Sequence, residues 1–143
     1  GMIDLPLDRE PHENPNLALM VVTPGGPEAR TAYRVLERFK AFTLVRCRLY
    51  TGRMHQIRAH LKALGHPIVC DKLYGRRTEL RLSDLRPVHQ GEEDTLLLDR
   101  QALHAQRIEF EHPQTNNAMI IEAPLPDDFQ RTLDALRRET AMR

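Results

Sequence analysis

Apolar and polar positions alternate in two neighbouring stretches of the chain, and then the period changes. Between Ala29 and Phe39, Thr31, Tyr33 and Val35 stand against Arg34, Leu36 and Arg38. That period of two marks a strand, although Leu36 interrupts it and keeps a helix reading open. Between Phe42 and Tyr50, Leu44, Arg46, Arg48 and Tyr50 alternate more cleanly with Thr43, Val45, Cys47 and Leu49. The two strands are expected to pair as a hairpin through Lys40-Ala41. The period then lengthens. Met54, Ile57, Leu61 and Leu64 recur at helical spacing as one apolar stripe expected to be buried. His55, Arg58 and Lys62 fall three and four apart on another edge and point together. Gly65 stands where this helix should stop, and Pro67 forbids its continuation. The Thr51-Gly52 turn precedes the helix, whose N-terminus suits an anion.

The flanks are less regular. Residues 1–16, with Pro6, Pro11 and Pro15, read as an extended arm. Leu17 to Thr23 is a short strand candidate, closed by the turn Pro24-Gly25-Gly26-Pro27. Residues 76–99 are polar and read as a surface loop with room for one short helical turn. Arg107–Glu111 and Ala118–Glu122 read as strands joined by a turn over His112–Asn117. Pro126 starts a terminal helix with Phe129, Leu133 and Leu136 on one face, and Asp127 and Asp128 suit its N-terminus. No internal repeat is present. The expected fold is α/β (α+β): one domain over residues 1–143, a mixed, mainly antiparallel sheet with two or three packed helices.

Composition narrows the setting. A chain of 143 residues with 41% hydrophobic residues forms one domain, or part of one, with a modest core. No apolar run approaches the roughly 18 residues of a membrane span, and no secretory signal opens the chain. Gly1-Met2 reads as a tag scar ahead of a native start. Cys47 and Cys70 are too few for a disulfide framework, so a reduced, cytoplasmic protein is expected. The net charge is only +1, but it is segregated. Residues 40–86 hold eleven Lys and Arg against three acids, whereas residues 87–143 hold six Arg against eleven acids. The positive block coincides with the short helix and favours a polyanion-facing surface over a merely solvated one. His55, His60 and His66 do not share a helical face, and no Cys or carboxylate completes a ligand set, so no metal is expected. No phosphate-cradling Gly-rich loop or nucleophile elbow occurs.

The run Thr51-Gly52-Arg53-Met54-His55-Gln56-Ile57-Arg58-Ala59-His60 resembles the central motif of the RluA-type RNA pseudouridine synthases. Gly65-His66-Pro67-Ile68 and Asp71-Lys72-Leu73-Tyr74-Gly75 continue the resemblance, with Cys70 in place of the family's usual glycine. Arg100 to Ala105, His112-Pro113 and Glu122 to Pro126 are similar to the end of the same catalytic domain. Ile3 to Arg9 is similar to a segment midway through it. The resemblance therefore covers nearly the whole chain, but only the C-terminal half of the family's catalytic domain.

That resemblance implies a reaction without a cofactor: uracil is detached from C1′, turned, and rejoined through C5 by an enzyme with an aspartate nucleophile. In the family this aspartate lies in an Arg-Leu-Asp segment upstream of the part matched here, as does a stacking tyrosine. Neither is expected within this chain. Asp99-Arg100 has the wrong context, Asp71 matches a different family position, and Tyr33 and Tyr74 match packing or loop positions. Arg58 matches the arginine that supports the nucleophile by keeping a carboxylate ionised and oriented. Without that aspartate, Arg58 is expected to be an unpaired cation near a cleft. Arg53, His55, Gln56, Lys62 and His66 are implied contacts to ribosomal or transfer RNA, while His55 reads equally well as a packed or capping side chain. The expectation is a truncated synthase domain, inactive alone and with an open sheet edge. A homodimer or a complementing N-terminal half would cover that edge. The alternative is an RNA-binding or interaction module without chemistry, or one half of a split enzyme.

Overall fold

The computed structural model describes residues 1–14 and 16–141; Pro15 of the N-terminal arm lies outside them. The elements run β1 (Met2–Asp4), β2 (Leu7–Arg9), β3 (Met20–Val22), β4 (Arg30–Arg38), β5 (Thr43–Leu49), α1 (Gln56–Ala63), β6 (Leu80–Arg81), β7 (Leu96–Leu98), β8 (Arg107–Glu111), β9 (Ala118–Glu122) and α2 (Asp127–Ala141). The fold is of the expected α/β class. Its strands, however, form four small sheets rather than one: a three-stranded sheet ordered β1-β4-β5, and the pairs β2-β3, β6-β7 and β8-β9. Every pairing among the described residues is antiparallel.

The two alternating stretches pair as the expected hairpin. Val35 faces Val45 and Glu37 faces Leu44, so Leu36 is the extra residue of a β-bulge. The break in the sequence alternation is thus a bulge, and the helix reading falls. β5 lies at the outer edge of its sheet.

The N-terminal segment is not a free arm. β1 adds to β4, β2 pairs with β3, and both Ile3 and Leu7 are buried. Pro6 and Pro11 sit outside these three-residue strands, where a missing N–H removes no ladder bond. Residues 76–99 also hold more than a loop. β6 pairs with β7, a 3-10 turn covers Leu82–Asp84, and Leu80, Leu97 and Leu98 are buried. Three consecutive leucines carry no period, which is why their strand character was hidden among polar neighbours.

Two clusters share the core. Leu7, Met20, Ala29, Ala59 and Tyr74 pack beneath α1. Cys70, Leu80, Leu97, Leu98 and Ala135 pack beneath α2. As its periodicity predicts, α2 buries Leu133 and Leu136, together with Thr132 and Ala135. Its first turn is fixed by Arg100, whose Nε and Nη2 donate to the Asp128 carboxylate, each at 2.7 Å.

α1 stops where Gly65 predicts. The Gly65 N–H donates to Lys62 O at 3.0 Å and the His66 N–H to Leu61 O at 2.9 Å. Gly65 itself is left-handed at φ 81°. This is a Schellman cap, which needs a residue free of Cβ strain at that position. Gly65→Ala is expected to lower stability by about 1–2 kcal/mol, measurable by urea denaturation; an unchanged midpoint would contradict the strain argument.

The buried side of α1 differs from the apolar stripe. Gln56, Ala59 and His60 face inward, whereas Met54 and Leu64 are exposed and Ile57 and Leu61 are half-buried. The polar pair can turn inward because each of its hydrogen-bonding groups finds a partner there.

Candidate active site

The helix start is organised by Gln56. Its Oε1 accepts from the Arg53 N–H at 2.9 Å and from the Thr51 hydroxyl at 2.8 Å. Its Nε2 donates to Arg30 O and Thr31 Oγ1, each at 3.0 Å. Thr51 Oγ1 in turn accepts from the Arg30 N–H at 2.8 Å. The Thr31 hydroxyl reaches His60 Nδ1 at 2.8 Å, and His60 Nε2 lies 2.9 Å from Leu5 O. A carbonyl can only accept, so Nε2 carries the proton and Nδ1 accepts from Thr31. The Thr51-Gly52 turn, β4, the β1–β2 link and α1 are therefore joined by one continuous chain of hydrogen bonds. The expected contact of Gln56 with RNA does not hold. The residue is buried, and both ends of its amide are spent on the fold.

Arg58 is likewise not the unpaired cation expected from the sequence. Its Nε donates to Asp71 Oδ2 and its Nη2 to Asp71 Oδ1, both at 2.8 Å. Asp71 is fully buried, and its Oδ1 also accepts the N–H groups of Leu73 and Tyr74 at 3.0 Å. Burial pushes the Asp71 carboxyl up, but the Arg58 fork and the two backbone N–H donors outweigh it and hold the carboxyl below its usual range. The same hydrogen bonds raise Arg58. With both oxygens engaged and no solvent access, Asp71 is a structural carboxylate and not an available nucleophile.

Tyr74 completes the cluster. The Arg58 guanidinium lies 5.0 Å from its ring centroid. The Met20 N–H donates to the Tyr74 oxygen at 2.8 Å, and the same oxygen lies 3.0 Å from His55 Nδ1. The two rings meet edge to face at 5.6 Å. Burial, reinforced by the Arg58 charge, lowers the His55 pKa despite the opposing Asp71 carboxylate. His55 is half-buried just ahead of α1. Its backbone is left-handed, at φ 51°. Arg53 is exposed, with Nε donating to Glu28 O at 2.8 Å, and Lys62 and His66 are exposed along and beyond α1.

Asp71 and Tyr74 are the site members that periodicity and charge did not single out; their only signal was the Asp-x-x-Tyr-Gly run. Gly75 closes that run because a Cβ there would sit 2.8 Å from Asp71 O. Cys70 occupies a left-handed position, at φ 58°, which explains a glycine preference there. Among the described residues, no group of His, Cys, Asp and Glu is placed to hold a metal ion. No described helix is long and apolar enough to cross a membrane.

The fold and site thus comprise small antiparallel sheets and an Arg–Asp clamp behind a short cationic helix. A solved structure of human RNA pseudouridylate synthase domain containing 4 has the same fold, at a TM-score of 0.62 and 24% identity, over 96% of this chain and 56% of that one. A family profile described as RNA pseudouridylate synthase matches residues 1–63. The ribosomal large subunit pseudouridine synthase D of Nitrosomonas europaea is 42% identical over 137 residues, which is 96% of this chain and 37% of that protein. Its counterpart in Xanthomonas campestris is 42% identical over 146 residues, or 99% of this chain and 41% of that protein. The chain belongs to the RluA-type family of RNA pseudouridine synthases. It spans about two fifths of the length of these curated relatives.

Proposed function

We propose that these 143 residues form the C-terminal part of an RluA-like catalytic domain that converts uridine to pseudouridine in ribosomal RNA, in the cytoplasm. The observation that carries this reading is the 42% identity to large-subunit pseudouridine synthases along almost the entire chain. In this reading the nucleophilic aspartate comes from outside the 143 residues. Arg58 is the positioning group: Asp71 holds its Nε and Nη2, and Nη1, which bonds no described residue, remains to meet an incoming carboxylate. Arg53, His55, Lys62 and His66 contact the RNA. The chain alone makes no pseudouridine, because a supporting arginine cannot replace a covalent nucleophile. The partner is a complementing N-terminal half, seated along the open β5 edge; a homodimer would cover that edge without restoring chemistry. One observation favours the alternative of a non-catalytic RNA-binding module: Asp71 already satisfies Arg58, so the cluster is stable without a nucleophile.

Unmodified ribosomal RNA is incubated with the chain alone, and with the chain plus a polypeptide carrying the Arg-Leu-Asp segment, followed by pseudouridine mapping. No conversion is expected alone, and site-specific conversion in the mixture that Arg58→Ala reduces at least about a hundredfold, the cost of misplacing a catalytic group. Conversion by the chain alone would overturn the missing-nucleophile reading. RNA binding without conversion in the mixture would select the module.

A further inference from the structure

The β1-β4-β5 sheet has a second face that the site above does not use. Thr31 bonds to Gln56 and His60, so α1 lies on the Thr31 side. On the opposite side the register places Arg34 directly across from Arg46, and Ala32 across from Arg48. Arg46 and Arg48 are two residues apart on one strand, about 6.7 Å. The Tyr50 N–H donates to Arg30 O at 3.1 Å, which brings Tyr50 to the same side. The guanidinium groups of Arg48 and Arg30 lie 5.6 Å and 5.9 Å from its ring centroid. Arg34, Arg46 and Arg48 are all exposed, and Tyr50 is 55% exposed.

The charges on this face are unbalanced. Asp4 and Glu28 stand near Arg30, at 3.6 Å and 4.0 Å. Glu37, at the other end, is engaged by Arg137. None of Arg34, Arg46 and Arg48 forms an ion pair with a described residue. Like charges directly opposite across a strand pair repel and destabilise it. A polyanion laid on the face would relieve that repulsion, and an exposed aromatic ring among guanidinium planes is the arrangement on which unpaired bases stack. A regular duplex keeps its bases stacked inside and offers none to the ring.

We propose that Arg34, Arg46, Arg48 and Tyr50 form a second RNA-contact surface, on the sheet face opposite α1, which takes a single-stranded or looped segment. Arg34 and Arg46 hold phosphates, and a base stacks on the Tyr50–Arg48 pair. The proposal rests on the reading of this chain as an RNA-binding synthase domain, and adds a second point of grip that fixes how a longer RNA lies across it.

The test uses the 143-residue chain and a single-stranded RNA of mixed sequence, with binding followed by fluorescence anisotropy across a salt series. Arg34→Ala with Arg46→Ala should make the log–log salt slope shallower by about 1.4, at roughly 0.7 per lost phosphate contact. Arg34→Lys with Arg46→Lys should keep the slope, which separates charge from misfolding. Tyr50→Ala should weaken binding about tenfold, and Tyr50→Phe should not. Arg131→Ala with Arg138→Ala, on exposed positions of α2, serves as the charge control. Parental slopes in the Arg34/Arg46 variant, with a reduced slope for Arg53→Ala/Lys62→Ala, would overturn the second surface and leave the RNA reading intact. An equal drop in the α2 control would overturn it as general charge attraction. An absence of RNA binding by the parent chain at low salt would remove both readings together.

Discussion

Asp71→Ala is expected to cost about 3–5 kcal/mol of folding stability, because it leaves the Arg58 guanidinium buried without its partner. Two further groups lose their acceptor, since the Leu73 and Tyr74 N–H groups both end on Asp71 Oδ1. Urea denaturation of the single variant and of Arg58→Met/Asp71→Leu separates the contributions. The double variant should be far less damaged, since replacing a buried pair by apolar groups removes the unpaired charge as well as the bond. A loss below about 1 kcal/mol for Asp71→Ala, the worth of an exposed pair, would mean that the clamp is solvated in solution.

The pair also sets an acid limit. The folded Asp71 carboxyl lies below its unfolded value. The unfolded chain therefore binds the proton first as pH falls, and its share of stability is present above about pH 4 and lost below it. Asp71→Asn should flatten that part of the stability–pH curve. A curve of unchanged shape would assign the acid sensitivity to other carboxylates.

His60→Ala is the second large expected loss, about 2–5 kcal/mol from the cavity and from stranded polar groups. His60 is fully buried, and its removal leaves Leu5 O and the Thr31 hydroxyl without their partner. The damage should spread to the Thr51-Gly52 turn, because Thr31 also holds Gln56, and Gln56 holds Thr51 and Arg53. Backbone amide shifts at Arg53 would report this. Thr31→Val combined with His60→Leu should recover most of the loss. If His60→Ala melts like the parent chain, the hydrogen-bond chain is not what ties the turn to the sheet.

How far the sequence leads depends on the residue. The β4–β5 hairpin, both helices and the Gly65 stop were readable because alternation, helical spacing and a left-handed glycine are local properties. The burial of Gln56 and His60 is not legible from local pattern, because it depends on acceptors at Leu5 and Arg30, far away in the chain. Arg58 was assigned its role without its resident partner for the same reason: Asp71 lies thirteen positions on and reaches it only after the chain has passed Gly65 and Pro67. β6 and β7 escaped because a two-residue strand and a leucine triplet carry no period, and their pairing is fixed by contact with α2.

The β8–β9 hairpin has a consequence of a different kind. Its register aligns Ile108 with Ile121 and Phe110 with Met119, yet Ile108, Phe110 and Ile121 are 58%, 39% and 51% exposed. Little buried apolar area holds this ladder to the two core clusters, so it opens at far lower free energy than the molecule unfolds. Hydrogen exchange should divide the chain into two tiers, with the amides of 107–122 exchanging early while those of α1 and β4 remain protected. Any molecule that covers Ile108, Phe110 and Ile121 would move the hairpin from the fast tier to the slow one. The rate of those few amides is thus a built-in gauge of whether the chain is alone or assembled.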